Sequence, residues 1–115
     1  MTQKTRKSQT YRHTPAFILL SLAHQNLYGA AILSNLRKEI PLYNVDSAVI
    51  YRSLQELEEN KAVESYWETD TSGPARKWYK INAEGLKLLS IFKEDIELRK
   101  NIFEYFLNSY NMLSL

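Results

Sequence analysis

A chain of 115 residues has room for one hydrophobic core and not for two. It has no cysteine, which excludes disulfides, thiolate metal sites and cysteine nucleophiles, and no apolar run approaches the ~18–20 residues that span a bilayer. The net charge of +2 is unevenly spread, because Lys4, Arg6, Lys7 and Arg12 make residues 1–13 basic with no acid among them, whereas the rest of the chain carries a small excess of acid.

Residues 1–13 are rich in Lys, Arg, Thr, Ser and Gln and read as a basic, flexible N-terminal arm. Thr14-Pro15 predicts a helix start, with a capping hydroxyl followed by proline at the first helical position. Ala16, Phe17, Leu19, Leu20 and Ala23 would be its buried side, and it should end between His24 and Asn26. A second helix is expected from about Tyr28 to Glu39, with Ile32, Leu33 and Leu36 as its apolar stripe. Pro41 ends it, and Asn44 or Asp46 can cap a third helix that runs to about Asn60. There Ile50, Leu54 and Leu57 recur at the spacing of a half-buried helix.

The pattern then changes to β-branched and aromatic residues over Val63 to Thr69 and again over Lys77 to Ile81. The turn-forming stretch Asp70 to Ala75 lies between them, so a β-hairpin is predicted. Asn82 can cap a long final helix, with Glu84 in its first turn. In that helix Leu89, Ile96, Phe103 and Tyr110 are seven apart, as are Phe92, Arg99, Phe106 and Leu113. These are the two positions of a heptad seam with one charged member, Arg99. The order is that of a mainly α (α+β) winged helix-turn-helix, residues 14–81, followed by a long C-terminal dimerisation helix over 82–115. A homodimer would bury Leu89, Phe92, Ile96, Phe103 and Phe106, with Arg99 among them.

Enzymatic chemistry has little to stand on. His13 and His24 have no partner at metal-ligand spacing, Gly29, Gly73 and Gly85 make no phosphate-cradling loop, and the adjacent acids on helices point apart. No metal and no cofactor is expected. Double-stranded DNA suits the pattern better. If Ile50, Leu54 and Leu57 face inwards, then Ser47, Ala48, Tyr51, Arg52 and Gln55 are presented outwards from the first half of the third helix. Arg52 can fork onto a guanine edge or a phosphate, Gln55 can pair with adenine, and Tyr51 can donate to either phosphate or base. Further along that helix, Glu56, Glu58 and Glu59 would be repelled by phosphates. In the hairpin Arg76 and Lys80 share one face and Lys77 takes the other, with Gly73 at the tip and Arg76 nearest the minor groove. A solvated helix face and hairpin would show the same residues.

The run from Gly73 to Gly85, GPARKWYKINAEG, resembles the wing and last-helix start of PadR-like transcriptional regulators. The run SAVIYRSLQELEE from Ser47 to Glu59 is similar to their recognition helix, and Thr14 to Leu36, with Leu27-Tyr28-Gly29 in its middle, to their first two helices. The resemblance implies a dimeric winged-helix protein, a repressor at an inverted-repeat operator, and for many members a response to phenolic acids or hydrophobic drugs. The short C-terminal region resembles the subfamily with one dimerising helix, and the short chain and basic arm are similar to a clock-associated member from cyanobacteria. Three positions depart from the family pattern. Ala30 stands where an aromatic is usual, Arg52 where proline is usual, and Asn60-Lys61 where the recognition helix usually ends in glycine. Two other readings stay open: a winged helix that binds protein, and a regulator that senses an aromatic effector at the dimer centre. The expected setting is the cytoplasm, with no membrane contact.

Overall fold

The computed structural model describes residues 12–40, 43–69 and 73–115. Helix α1 (Thr14–His24) leads through strand β1 (Leu27–Tyr28) into helix α2 (Gly29–Glu39). Helix α3 (Ser47–Glu59), strands β2 (Val63–Glu68) and β3 (Arg76–Ile81), and helix α4 (Ala83–Asn111) complete the order. The three strands form one antiparallel sheet in the order β1-β3-β2. Strand β2 pairs with β3 from Val63↔Ile81 to Glu68↔Arg76, and β1 adds Leu27↔Tyr79 and Tyr28↔Trp78 on the other side. This is a winged helix-turn-helix followed by a long C-terminal helix.

Three local expectations are corrected. Thr14 is the first helical residue and not the cap. His13 takes the cap position without a side-chain bond, and the fully buried Thr14 Oγ1 hydrogen-bonds the Tyr43 hydroxyl instead. Residues 27–28 form a strand before the second helix begins, because pairing with β3 satisfies backbone groups that a helix would leave open at its N-terminus. In α1 the buried side is Thr14, Ala16, Ile18, Leu19 and Leu22, while Leu20 and Ala23 are exposed.

The core joins Ile18, Leu19 and Leu22 of α1, Ile32 and Leu36 of α2, and Ile50, Leu54 and Leu57 of α3, closed by Val45, Val63 and Tyr79. At ~1.5–3 kcal/mol for each fully buried aliphatic side chain, this cluster is the main term opposing the chain's conformational entropy. Leu88, Leu89 and Phe92 attach the first turns of α4 to it.

Helix α3 ends in a Schellman arrangement, in which Ala62 N donates to Leu57 O and Lys61 N to Glu58 O. That geometry places Lys61 at φ 61°, the left-handed region where a Cβ is costly. A lysine thus stands where the resemblance leads to an expectation of glycine, with the backbone shape kept. Just beyond the hairpin, Asn82 caps α4 by accepting from Gly85 N and donates Nδ2 to Lys61 O. A Cβ on Gly85 would lie 2.1 Å from the Ala62 carbonyl oxygen, so only glycine lets α4 start against the end of α3.

Candidate nucleic-acid interface

Helix α3 separates its faces as its period requires. Val49, Ile50, Ser53, Leu54 and Leu57 are buried, and Ser47, Ala48, Tyr51, Arg52 and Gln55 are exposed. Its start is held from behind, where Arg37 donates from Nε and Nη2 to the Val45 carbonyl at 3.1 and 2.8 Å. The sequence reading left Arg37 without a role. On the same connector, the Tyr43 ring packs on Phe17 with centroids 5.5 Å apart.

Tyr51 is half exposed, and its ring lies over the start of α2. A Cβ on Gly29 would stand 2.3 Å from Tyr51 Cε1, so any side chain there would displace the ring. Gly29 thus sets where the Tyr51 hydroxyl points, a role the sequence signalled only by the glycine itself. Arg52 is exposed and has no ion pair or hydrogen bond among the described residues.

The three hairpin cations have three different surroundings. Lys77 Nζ lies 3.4 Å from Glu58 Oε1 and 5.5 Å from the Tyr79 ring centroid. Ser65 donates its hydroxyl to the same Glu58 carboxylate, which ties the hairpin to the second half of α3. That bond is the largest cause holding the Glu58 pKa below its ordinary value; burial opposes it, and Lys77 adds to it. For Lys77, burial pulls the pKa down, but Tyr79 and Glu58 outweigh it and the net shift is upward. Lys80, at the far end of the strand, lies 3.9 Å from Glu64. Arg76 has no carboxylate partner among the described residues, and its guanidinium carbon sits 4.7 Å from the Tyr28 ring centroid.

Gly73 is exposed, and a Cβ there would meet nothing within 4 Å among the described residues. Tyr51, Arg76 and Lys77 come together on a cleft of about 600 Å³ whose other walls are Tyr28, Gly29, Ala30, Trp67 and Tyr79. Trp67 is exposed and was not singled out from sequence; only the alternation of β2 marks it. Lys80 lies apart from this cleft. Lys4, Arg6 and Lys7 lie outside the described residues, and Arg12 is exposed beside His13. His13 Nε2 reaches Asp95 at 3.3 Å, and Arg99 Nε donates to the same carboxylate at 3.0 Å, so the charge of Arg99 is paired one turn back on its own helix. Arg99 is the first and His13 the second cause that lowers the Asp95 pKa.

Among the described residues no three His, Asp or Glu side chains gather as a metal site, and no helix is long and apolar enough to cross a membrane.

Residues 18–91 match the family model of the PadR-like transcriptional regulators. A transcriptional regulator from Clostridium thermocellum is 30% identical, with 82% of this chain and 89% of that one covered and a TM-score of 0.75. A PadR family transcription regulator from Clostridium difficile is 25% identical, with 83% and 98% covered and a TM-score of 0.73. Bacillus subtilis PadR, solved in complex with operator DNA, shares the fold at 20% identity and a TM-score of 0.63, over 69% of this chain and 46% of that one. Nothing among curated protein sequences matches the chain. With the hairpin, the third helix and the glycine-dependent start of the last helix all in place, the chain belongs to the PadR-like family of transcriptional regulators.

Proposed function

We propose that the protein binds an operator of two half-sites as a homodimer and represses transcription by occluding it. The observation that carries this reading is the outer face of α3. Ala48, Arg52 and Gln55 stand exposed beside the seated Tyr51, on a helix whose other face is wholly committed to the core. The N-terminal half of such a helix fits a major groove, and Arg52 is the forked donor that reads a guanine edge there. Bacillus subtilis PadR was solved with operator DNA, and the shared fold supports the same docking here.

For the homodimer the support is α4. Ile96, Phe103, Phe106 and Tyr110 are all exposed on it and Leu113 just beyond its end, a larger apolar stripe than a monomer ordinarily leaves in water. An apolar groove of about 560 Å³ runs between α1 and α4, walled by Phe17, Leu20, Leu86, Leu89, Phe92 and Ile96. The projecting helix of a second copy fits that groove, and a two-fold pair would set the spacing of two recognition helices at about one helical turn of DNA. The cytoplasm is the setting such a repressor requires.

The test is selection of bound duplexes from a random pool, followed by fluorescence anisotropy on the selected duplex. Arg52→Ala should weaken binding by about tenfold or more, with the loss concentrated at one base position. An equal loss on every sequence would make Arg52 a phosphate contact, and no salt-sensitive binding by the unmodified protein would favour a protein-binding module. The aromatic-effector reading has the groove's rings in its favour, and a thermal shift with planar aromatic compounds would support it. The likeness to a clock-associated member rests on chain length and on the arm, and residues 1–11 lie outside the described residues.

A further inference from the structure

Strand β1 has two residues, and its pairing with β3 stops at Tyr28↔Trp78. Beyond that pair, towards the hairpin tip, the edge of β3 faces Gly29 and Ala30, which offer almost no side chain. Arg76, Gly29 and Ala30 border the same cleft there. Its guanidinium lies over the Tyr28 ring at 4.7 Å, and Tyr28 is itself braced edge-on by Trp78, with centroids 5.0 Å apart and planes at 73°. The arginine is therefore turned back over Tyr28 and away from the hairpin tip, on the sheet face opposite Lys77 and Trp67, at the rim of the cleft that Arg76 and Tyr28 line with Tyr51.

Stacking uses the face of a guanidinium and leaves its N–H edge free, which is the edge that grips a phosphate. An arginine already held in one rotamer also loses less entropy when it binds. Of the three hairpin cations, Lys77 and Lys80 lie within 4 Å of a carboxylate, whereas Arg76 makes no ion pair among the described residues, although Glu68 is its cross-strand partner.

We propose that Tyr28 is a positioning residue: it holds Arg76 at the rim of the cleft, on the hairpin face opposite Lys77, where the guanidinium meets a phosphate of the DNA strand that crosses from one groove to the next. This rests on the DNA-binding reading above, and it replaces minor-groove entry by Arg76 with a backbone contact set by an aromatic ring.

Two measurements test it. In the free protein, NMR should show the Arg76 side-chain protons shifted upfield by the Tyr28 ring, with the shift kept in Tyr28→Phe and lost in Tyr28→Leu. In anisotropy titrations on the selected duplex, Arg76→Ala should weaken binding by about tenfold for all sequences and reduce the salt slope by about 0.9. Tyr28→Leu should weaken it by about threefold and Tyr28→Phe hardly at all. Added to Arg76→Ala, Tyr28→Leu should have almost no further effect. No ring-current shift in the unmodified protein overturns the proposal without any variant having to fold. An equal Tyr28→Leu loss in both backgrounds also overturns it, as does a sequence-specific Arg76→Ala loss at unchanged salt slope. If Arg52→Ala behaves as expected while these fail, only the positioning role is lost; if the unmodified protein binds no DNA, both readings fall.

Discussion

The two ends of α4 carry similar side chains in opposite circumstances. Near its start Leu88, Leu89 and Phe92 rest on the core built by the first three helices, and Gly85 lets the helix approach the Ala62 carbonyl. From Lys100 onward every residue is exposed, including Ile102, Phe103, Phe106 and Leu107. The helix of 29 residues is about 43 Å long and projects past the core, so among the described residues its second half has little of its own chain to pack on. Apolar periodicity is thus the same signal in both halves, and reach alone separates an internal core from an exposed apolar surface.

The sharpest way to break this contrast is to charge the projecting half. In the proposed homodimer, replacing Phe103 and Phe106 together by Asp removes four aromatic side chains from the two-fold interface, so association should weaken by more than about a thousandfold in sedimentation experiments. The domain should keep its circular dichroism spectrum; persistence of the dimer would show that the stripe is not the interface. Charging the packed half has a counterpart in Gly85→Ala. Its Cβ would press on backbone that cannot swing aside, and chemical denaturation should show a loss of about 2–3 kcal/mol. A neutral result would mean that α4 docks more loosely than the 2.1 Å approach implies.

Smaller effects refine the packed half alone. Lys61→Gly removes a Cβ from the left-handed position and should raise stability by about 0.5–1 kcal/mol, read from the same denaturation curves. Glu58→Gln should cost about half a kcal/mol, since the pair it forms with Lys77 is about one-third exposed. The Glu58 pKa is lowered in the folded state, so its contribution is complete above the ordinary carboxylate pKa and is lost as pH falls through the lowered one. The difference between the unmodified protein and Glu58→Gln should accordingly vanish in acid; a constant difference would assign the loss to packing.

Much of the architecture was readable locally. Three helices, a hairpin and a final helix follow from where apolar residues recur, and Asn82 is at the cap that its type predicted. The faces of α3 came out as its spacing required, with Arg52 and Gln55 exposed. The start of α2 was not readable, because the strand at residues 27–28 exists only through β3, about fifty positions later. Leu20 was expected inside and is exposed, since an apolar residue says only that burial is favourable and not whether a partner is within reach.

What the sequence determined by itself is therefore the order of elements and the two sides of each helix, because both depend on residues within a turn or two of one another. Only the tertiary structure decided which cation is committed and which is not. Lys77 and Arg76 are neighbours in the chain, yet one meets Glu58 and the other the ring of Tyr28, on opposite faces of the same strand. Electrostatic pairing depends on distances across the fold, and no local pattern encodes those.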